Sequence, residues 1–499
     1  MEHDVPLCRA RPRHSMVPRD SHAKRGTIMI KMWICILGAS LSLPGCTQTK
    51  PKPPGVTQAA GSYAIVCLYS HRLPDDPIVM PARPGVAMQH DFFGNTTTNA
   101  YTTAEVLQKV PGTTCENAAD GTAYWAPSLR LPDGTVVPPV YQKTYYTNQA
   151  VPSPNHFPVQ PYPQGIKLMV GDHHGTTPNS RISFLCTGGN YTNSIPTNCK
   201  PDPTNGTQLN IGMHFPTCWD GKTLSPTMGT YDNAVSPDSA GNCPAGYPVR
   251  LPDANMNIAY NLGQITDLTN VQLSLDPQLD SAGNVVKQLW GSLYTAHGDF
   301  FMGWRPDAAS FMAEFCLNKG ISCNHLMAYS YLKIAEDATV RAADTTNYGT
   351  NAALYAQQTS GSTPESRSYL KVGIPKGAQT LPPDFKPAYM LMMFGGNMTD
   401  TTTQTFTVYR VATDWSETTI NGANAPTCSG TSVTSNLNNT QAYRAFDVSK
   451  LVNEALSQGA EHIAFCIRGP AGQQQIKFSS KEGGNGGVLF INAVNKLPY

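Results

Sequence analysis

Two short segments place an imidazole, a carboxylate and paired phenylalanines together: His90-Asp91-Phe92-Phe93 and His297-Gly298-Asp299-Phe300-Phe301. In a strand, side chains alternate between faces, so His297, Asp299 and Phe301 share one face and Phe300 takes the other. An imidazole and a carboxylate so spaced can orient a proton acceptor or bind a cation. His90 and Asp91 are adjacent, so a regular strand sends them to opposite faces and only a turn makes them converge. A structural role explains both segments equally well, because buried polar groups must find hydrogen-bond partners whatever they do.

Further candidates lie in the same half of the chain. Asp172, followed by His173 and His174, stands at the end of a predicted strand, Ile166 to Val170, where functional groups are common. His214 precedes Cys218-Trp219-Asp220-Gly221-Lys222, in which Asp220 and Lys222 flank a glycine and can project from one tight turn. Asp220 is a candidate catalytic carboxylate, with Lys222 its charge partner toward an acidic sugar or a leaving oxygen. The plain alternative is a turn-capping Asp beside a solvated Lys. Glycoside hydrolysis needs paired carboxyl groups, for which Asp91, Asp172, Asp220 and Asp299 are available. Elimination needs a His or Tyr base, for which His214, His297 and Tyr124 are candidates. Tyr124, Trp125, Tyr145, Tyr146, Trp219 and Trp304 can serve as platforms for sugar faces or as core. His90, His214, His297 and Asp299 could also meet around a metal, but no His-x-x-x-His signature supports it. Metal-free glycan chemistry, with no required cofactor, ranks first. No phosphate loop, dinucleotide fingerprint or Gly-x-Ser-x-Gly elbow occurs.

The elements that must position these residues are short. Of 499 residues 14% are charged, and 42 Gly and 41 Pro punctuate the text, the composition of a loop-rich, weakly charged chain. A net charge of +1 supplies no electrostatic footprint for nucleic acid. Residues 62–324 read as strands such as Tyr63 to Tyr69, Ile166 to Val170 and Arg181 to Cys186, separated by turn residues. The clearest helix is Ala308 to Asn318, with Asp307 as N-cap and Gly320 as its stop. From Ile334 alternating strands dominate, among them Ala338 to Arg341, Tyr369 to Val372, Tyr389 to Phe394 and Thr405 to Val411. A linker is therefore placed at 325–333, with a second domain over 334–499. The fold class expected is mainly β: a disulfide-rich, β-dominated (α+β) N-terminal domain and a C-terminal β-sandwich of jelly-roll type.

Met32 to Leu43 is an apolar run of signal-peptide rather than membrane-spanning length. Residues 29–46 read as a signal peptide, 1–28 as an over-extended start, and 47–61 as a Pro/Thr/Gln tether. The signal ends in Leu43-Pro44-Gly45-Cys46, which resembles a bacterial lipobox and makes Cys46 the lipidated residue of an exported, membrane-anchored protein. The alternative is an ordinary secretory signal. Cys8 and Cys35 precede the cut and Cys46 would carry lipid, so ten of 13 cysteines remain for disulfides in an oxidising compartment. Short separations suggest Cys186 with Cys199, Cys218 with Cys243, Cys316 with Cys323 and Cys428 with Cys466, leaving Cys67 with Cys115. Spacing alone leaves other pairings open.

Two resemblances cover most of the chain. Asp75-Asp76-Pro77-Ile78-Val79, His90-Asp91-Phe92-Phe93-Gly94-Asn95, Ala123-Tyr124-Trp125-Ala126-Pro127, Gly171-Asp172, Cys218-Trp219-Asp220-Gly221-Lys222, Pro248-Val249-Arg250-Leu251-Pro252 and His297-Gly298-Asp299-Phe300-Phe301-Met302-Gly303-Trp304 resemble the DUF1996 family in order and content. The resemblance implies kinship and secretion rather than a chemistry. Met88 and Tyr247 depart from it, since family members often carry histidine there. Ala335-Glu336-Asp337-Ala338-Thr339-Val340-Arg341, Thr346-Asn347-Tyr348-Gly349, Trp415-Ser416-Glu417, Phe446-Asp447-Val448 and Phe478-Ser479-Ser480-Lys481-Glu482 resemble carbohydrate-binding module family 96. This implies a jelly roll in contact with glycan. Glu336, Asp337 and Glu482 are candidate ligands of a structural calcium ion there. The function expected is an exported, monomeric surface lipoprotein that acts on extracellular polysaccharide as hydrolase or lyase. A non-catalytic glycan-binding adhesin or matrix protein is the alternative.

Overall fold

Ser62–Leu73 (β1) turns Tyr63, Ile65 and Cys67 inward and their neighbours outward, the period-two pattern of a half-buried strand. A register shift between Tyr69 and His71 divides it. Its first part pairs with Tyr141–Thr147 and its second with His90–Gly94, so one strand longer than the sequence suggests joins two parts of a sheet. The computed structural model describes residues 60–494, apart from 110–111, 152, 228–229, 231, 324–325, 376–380, 382–384, 396–402, 439–441 and 473–474. Residues 1–28, the expected signal peptide, Cys46 and all but the last two residues of the expected tether lie outside the described residues.

The remaining strands of this sheet are β2 (His90–Gly94), β3 (Ala123–Pro127), β4 (Tyr141–Thr147), β5 (Lys167–Gly171), β6 (Ile182–Cys186), β7 (Gln208–His214), β8 (Asp253–Asn261) and β9 (His297–Phe301). Among the described residues they run in the spatial order β5-β9-β3-β2-β1-β4-β8-β7-β6. Every pairing is antiparallel. β2, β3 and β9 are buried along their whole length, because both faces are covered. Phe93, Tyr124, Ala126, Leu168 and Phe300 enter the main core, whereas Phe92, Ala123, Trp125 and Phe301 join Ile78 and Leu107 in a smaller cluster on the other side. Disulfides join Cys67 to Cys115, Cys186 to Cys199, Cys218 to Cys243, Cys316 to Cys323 and Cys428 to Cys466. Such bonds restrain the unfolded chain by typically about 2–4 kcal/mol each, which suits a chain rich in turns.

The C-terminal segment is a β-sandwich. One sheet holds Ala328–Lys333, Val488–Asn492, Ala388–Phe394 and Tyr443–Asp447, and the other Glu336–Arg341, Ser366–Gly373, His462–Arg468, Gln404–Val411 and Ser432–Leu437, each in spatial order. Leu391, Phe406, Phe446, Phe465 and Leu489 fill the space between. The helix expected at Ala308 begins at Pro306 instead and continues past Phe311 as a π-helical stretch, Met312–Leu317. Pro306 is pre-set for a first helical position, so Asp307 falls inside the first turn rather than capping it. Phe311 lies 4.8 Å from Phe490, and Phe315 lies 5.2 Å from Tyr331 and 5.8 Å from Phe394, ring centre to ring centre. The Ala118 N–H also donates to the Ala493 carbonyl. One apolar cluster thus runs through both segments across the expected linker. Among the described residues, no helix is long and apolar enough to cross a membrane.

Candidate functional site

Register brings the two histidine segments together. β9 pairs with β3 so that Asp299 faces Trp125, and β2 pairs with β3 so that Phe92 faces Trp125 and His90 faces Pro127. Extending the pairing puts His90, Pro127 and His297 in one row across three strands, and Phe92, Trp125 and Asp299 in the next. Rows alternate in height but share a face, so His90, His297 and Asp299 all point to the side of the smaller cluster. The rings of His90 and His297 meet edge to face at 5.9 Å. One side-chain ligand atom from each of the three residues lies within 4.8 Å of the other two. A Cβ at Gly298 would lie 2.6 Å from Met213 Sδ and 2.7 Å from Met256 Cε, so a side chain there would displace the ends of both methionines.

Two of the three side chains, His90 and Asp299, are short of partners. His90 Nδ1 lies 3.0 Å from the Asp75 carbonyl, which leaves Nε2 buried without a hydrogen bond. His297 Nδ1 lies 3.0 Å from the Thr295 carbonyl. Neither oxygen of Asp299, which is 0% exposed, has a hydrogen-bond partner. Burial lowers His90 to about 4 and, with His90 and His173 adding repulsion, His297 to about 3. Burial, and then the neighbouring Asp76 carboxylate, raise the Asp299 carboxyl well above its ordinary range. A low-dielectric pocket disfavours each charged form.

A cavity of about 340 Å³ opens beside this cluster, its walls including Asp76, His173, Arg181, His214, Asp276 and His297. Asp76 accepts the N–H groups of Ile78 and Val79 at 2.8 and 2.9 Å, and burial raises its pKa. His214, at the end of β7, presents Nδ1 3.5 Å from Asp253 Oδ2. That is ion-pair range, but the geometry falls short of a hydrogen bond. The His214 N–H donates to the Arg181 carbonyl, which ties the two side chains' backbones together. Burial lowers the Arg181 pKa while Asp253 raises it. An imidazole close to a carboxylate, in a cavity that also holds a guanidinium, can move a proton next to an anionic group.

Other sequence candidates lie elsewhere. Asp91 points to the opposite face, where Arg72 donates to it through Nε at 2.7 Å and through Nη2 at 3.2 Å. Asp172 is exposed and accepts the His174 N–H, so its neighbour His173 is the residue that reaches the cavity. Asp220 accepts the N–H groups of exposed Lys222 and of Thr223 at 2.9 and 2.8 Å. Those bonds hold its pKa below the ordinary value despite slight burial, as in a turn cap. Tyr124, Trp125 and Trp304 are 0% exposed, so no sugar ring can stack on them. Trp219, half-buried, donates its indole N–H to the Thr223 carbonyl. Apart from histidines, no aromatic side chain among the described residues lines the cavity.

Of the expected calcium ligands, Asp337 and Glu482 come together and Glu336 does not join them. Glu336 takes the Lys371 ammonium at 2.6 Å and the Glu417 N–H at 2.9 Å. The acidic cluster that does form is Asp337, Glu417 and Glu482. There the Lys481 ammonium donates to both Glu417 and Glu482, and its backbone N–H to Asp337. A built-in cation thus stands among these carboxylates. The sequence reading passed over Asp76, Arg181, Asp253 and Asp276 as site residues. Asp76 stood in a quoted motif, while the other three are single charged residues that only tertiary contacts distinguish.

Fold and site together define a disulfide-braced β domain, with a cavity that holds imidazole, carboxylate and guanidinium groups among apolar walls, joined to a β-sandwich. The model of the DUF1996 family, a domain of unknown function, matches residues 76–304, and that of carbohydrate-binding module family 96 matches residues 328–493. The chain therefore carries a DUF1996 domain followed by a family 96 module. No curated protein matches the sequence.

Proposed function

We propose that this is an exported protein whose C-terminal module holds polysaccharide and whose N-terminal cavity cleaves it by elimination from an acidic sugar. The observation that carries the reading is His214, with Nδ1 3.5 Å from Asp253 Oδ2, facing a cavity whose wall also holds Arg181. Arg181 would neutralise a uronate carboxylate, which acidifies the adjacent C–H. His214 would take that proton, the electron pair would form the C4=C5 double bond, and the C4–O bond would break. The leaving oxygen needs a proton, and Asp76 stands in the same cavity. Tyr124 is no longer a base candidate, because its hydroxyl is buried between Asp120 and Tyr146. Export agrees with five disulfides, which persist in oxidising compartments, and anchoring through Cys46 completes the proposal.

The test is incubation of the mature chain with acidic and neutral polysaccharides. Elimination yields products absorbing in the ultraviolet, and hydrolysis yields reducing ends without that absorbance. The absence of both, with retention on a polysaccharide column, replaces the enzyme by a non-catalytic glycan-binding protein. That second reading has its own support in the carbohydrate-binding module that matches residues 328–493. Cys46→Ala should move the precursor out of the membrane fraction, and unchanged partitioning would remove the anchor.

A further inference from the structure

We propose that His90, His297 and Asp299 bind one divalent first-row transition-metal ion at the floor of the cavity. The inference is independent of the glycan reading. Its basis is a set of buried donor atoms with nothing to bond: His90 Nε2 and both Asp299 oxygens. Buried polar atoms in folded proteins almost always have partners, and a bound ion supplies one to His90 Nε2 and to the Asp299 carboxylate together. The histidines are also set up as ligands. Each turns Nδ1 to a backbone carbonyl, which makes Nδ1–H the donor and leaves the Nε2 lone pair for a metal, the usual outer arrangement of a metal-binding imidazole.

The donor set selects the ion. Two imidazoles and a carboxylate suit zinc-like, borderline ions, whereas calcium and magnesium take all-oxygen shells. A four-coordinate ion at about 2.0–2.1 Å from its ligands spaces them by roughly 3.4 Å, and one ligand atom from each of the three residues lies within 4.8 Å of the other two. His297 lines the cavity, so the ion would keep an open position toward it for water or a ligand. The neighbouring cation does not compete: on β5, the Lys167 ammonium donates to the Pro77 carbonyl and lies over the Phe301 ring.

The test uses the mature, disulfide-intact chain, stripped with a chelator, dialysed and titrated with Zn²⁺ by calorimetry and with Co²⁺ by visible absorption. One equivalent should bind, with Co²⁺ giving the intense bands of a low-symmetry site. Asp299→Asn and His297→Gln, checked for folding by circular dichroism, should each weaken binding at least tenfold, and exposed Asp172→Asn should leave it unchanged. No stoichiometric uptake by the unsubstituted chain, or undiminished uptake by folded Asp299→Asn, overturns the site. Uptake is measured without polysaccharide. A chain that binds the ion and cleaves nothing therefore sinks the proposed function while supporting this inference.

Discussion

Replacing Asp120 by Asn should change how stability depends on pH. Asp120 is 0% exposed. It accepts the Thr122 N–H at 3.0 Å and the Tyr124 hydroxyl at 2.8 Å. Tyr124 continues to the Tyr146 hydroxyl at 2.7 Å, which accepts the Trp304 indole N–H at 3.3 Å. Burial pushes the carboxyl up to about 7 against these hydrogen bonds, while in the unfolded chain it titrates near about 3.9. A raised folded pKa means that the folded state keeps a proton the unfolded state has released. The stabilising contribution is therefore complete below about pH 4 and is lost as pH rises through about 7. A gap of about three pH units corresponds to about 4 kcal/mol. Asn has nearly the same shape and does not titrate, so the difference between the two proteins isolates this group from the buried histidines, which pull the other way. Guanidinium unfolding followed by circular dichroism, without reductant, should show the wild type losing about 4 kcal/mol relative to Asp120→Asn between pH 4 and pH 8. A difference that stays flat across that range refutes the reasoning, because Asp120 would then be ionised throughout.

Other outcomes follow from the same contacts. Phe311→Ala removes a 0% exposed ring packed on Phe490. It should cost about 3–5 kcal/mol in a chain that unfolds in one transition; two separate calorimetric transitions would show that the shared core does not couple the segments. Arg72→Ala strands the buried Asp91 carboxylate. Denaturant midpoints should fall by the equivalent of about 3 kcal/mol, the lower end for a broken buried pair because Arg72 is partly exposed, with metal uptake unaffected. Asp220→Ala removes only a turn cap and should leave cleavage intact at a cost of about 1 kcal/mol. His214→Ala should abolish cleavage with little change in melting temperature. Loss of activity in Asp220→Ala would return that residue to the site.

Local pattern determined much of this protein. Period-two alternation separates His297, Asp299 and Phe301 from Phe300, and the structure puts Phe301 and Phe300 in different clusters. The same alternation sends Asp91 away from His90, as the ion pair with Arg72 on another strand makes plain. Cysteine spacing already suggested the pairs that form, because short loops close at the smallest entropic cost. What the sequence could not decide was which distant residues share a row. His90 and His297 meet only because β3 pairs with both β2 and β9 in compatible register, and register is a long-range property. Burial has the same character. Trp125 and Trp304 look like sugar platforms one residue at a time, yet other elements cover both. Glu417 rather than Glu336 joins Asp337 and Glu482, because Lys371 on the paired strand claims Glu336. A strand's own sequence sets which side chains share a face, and only the packed neighbours decide what each face meets.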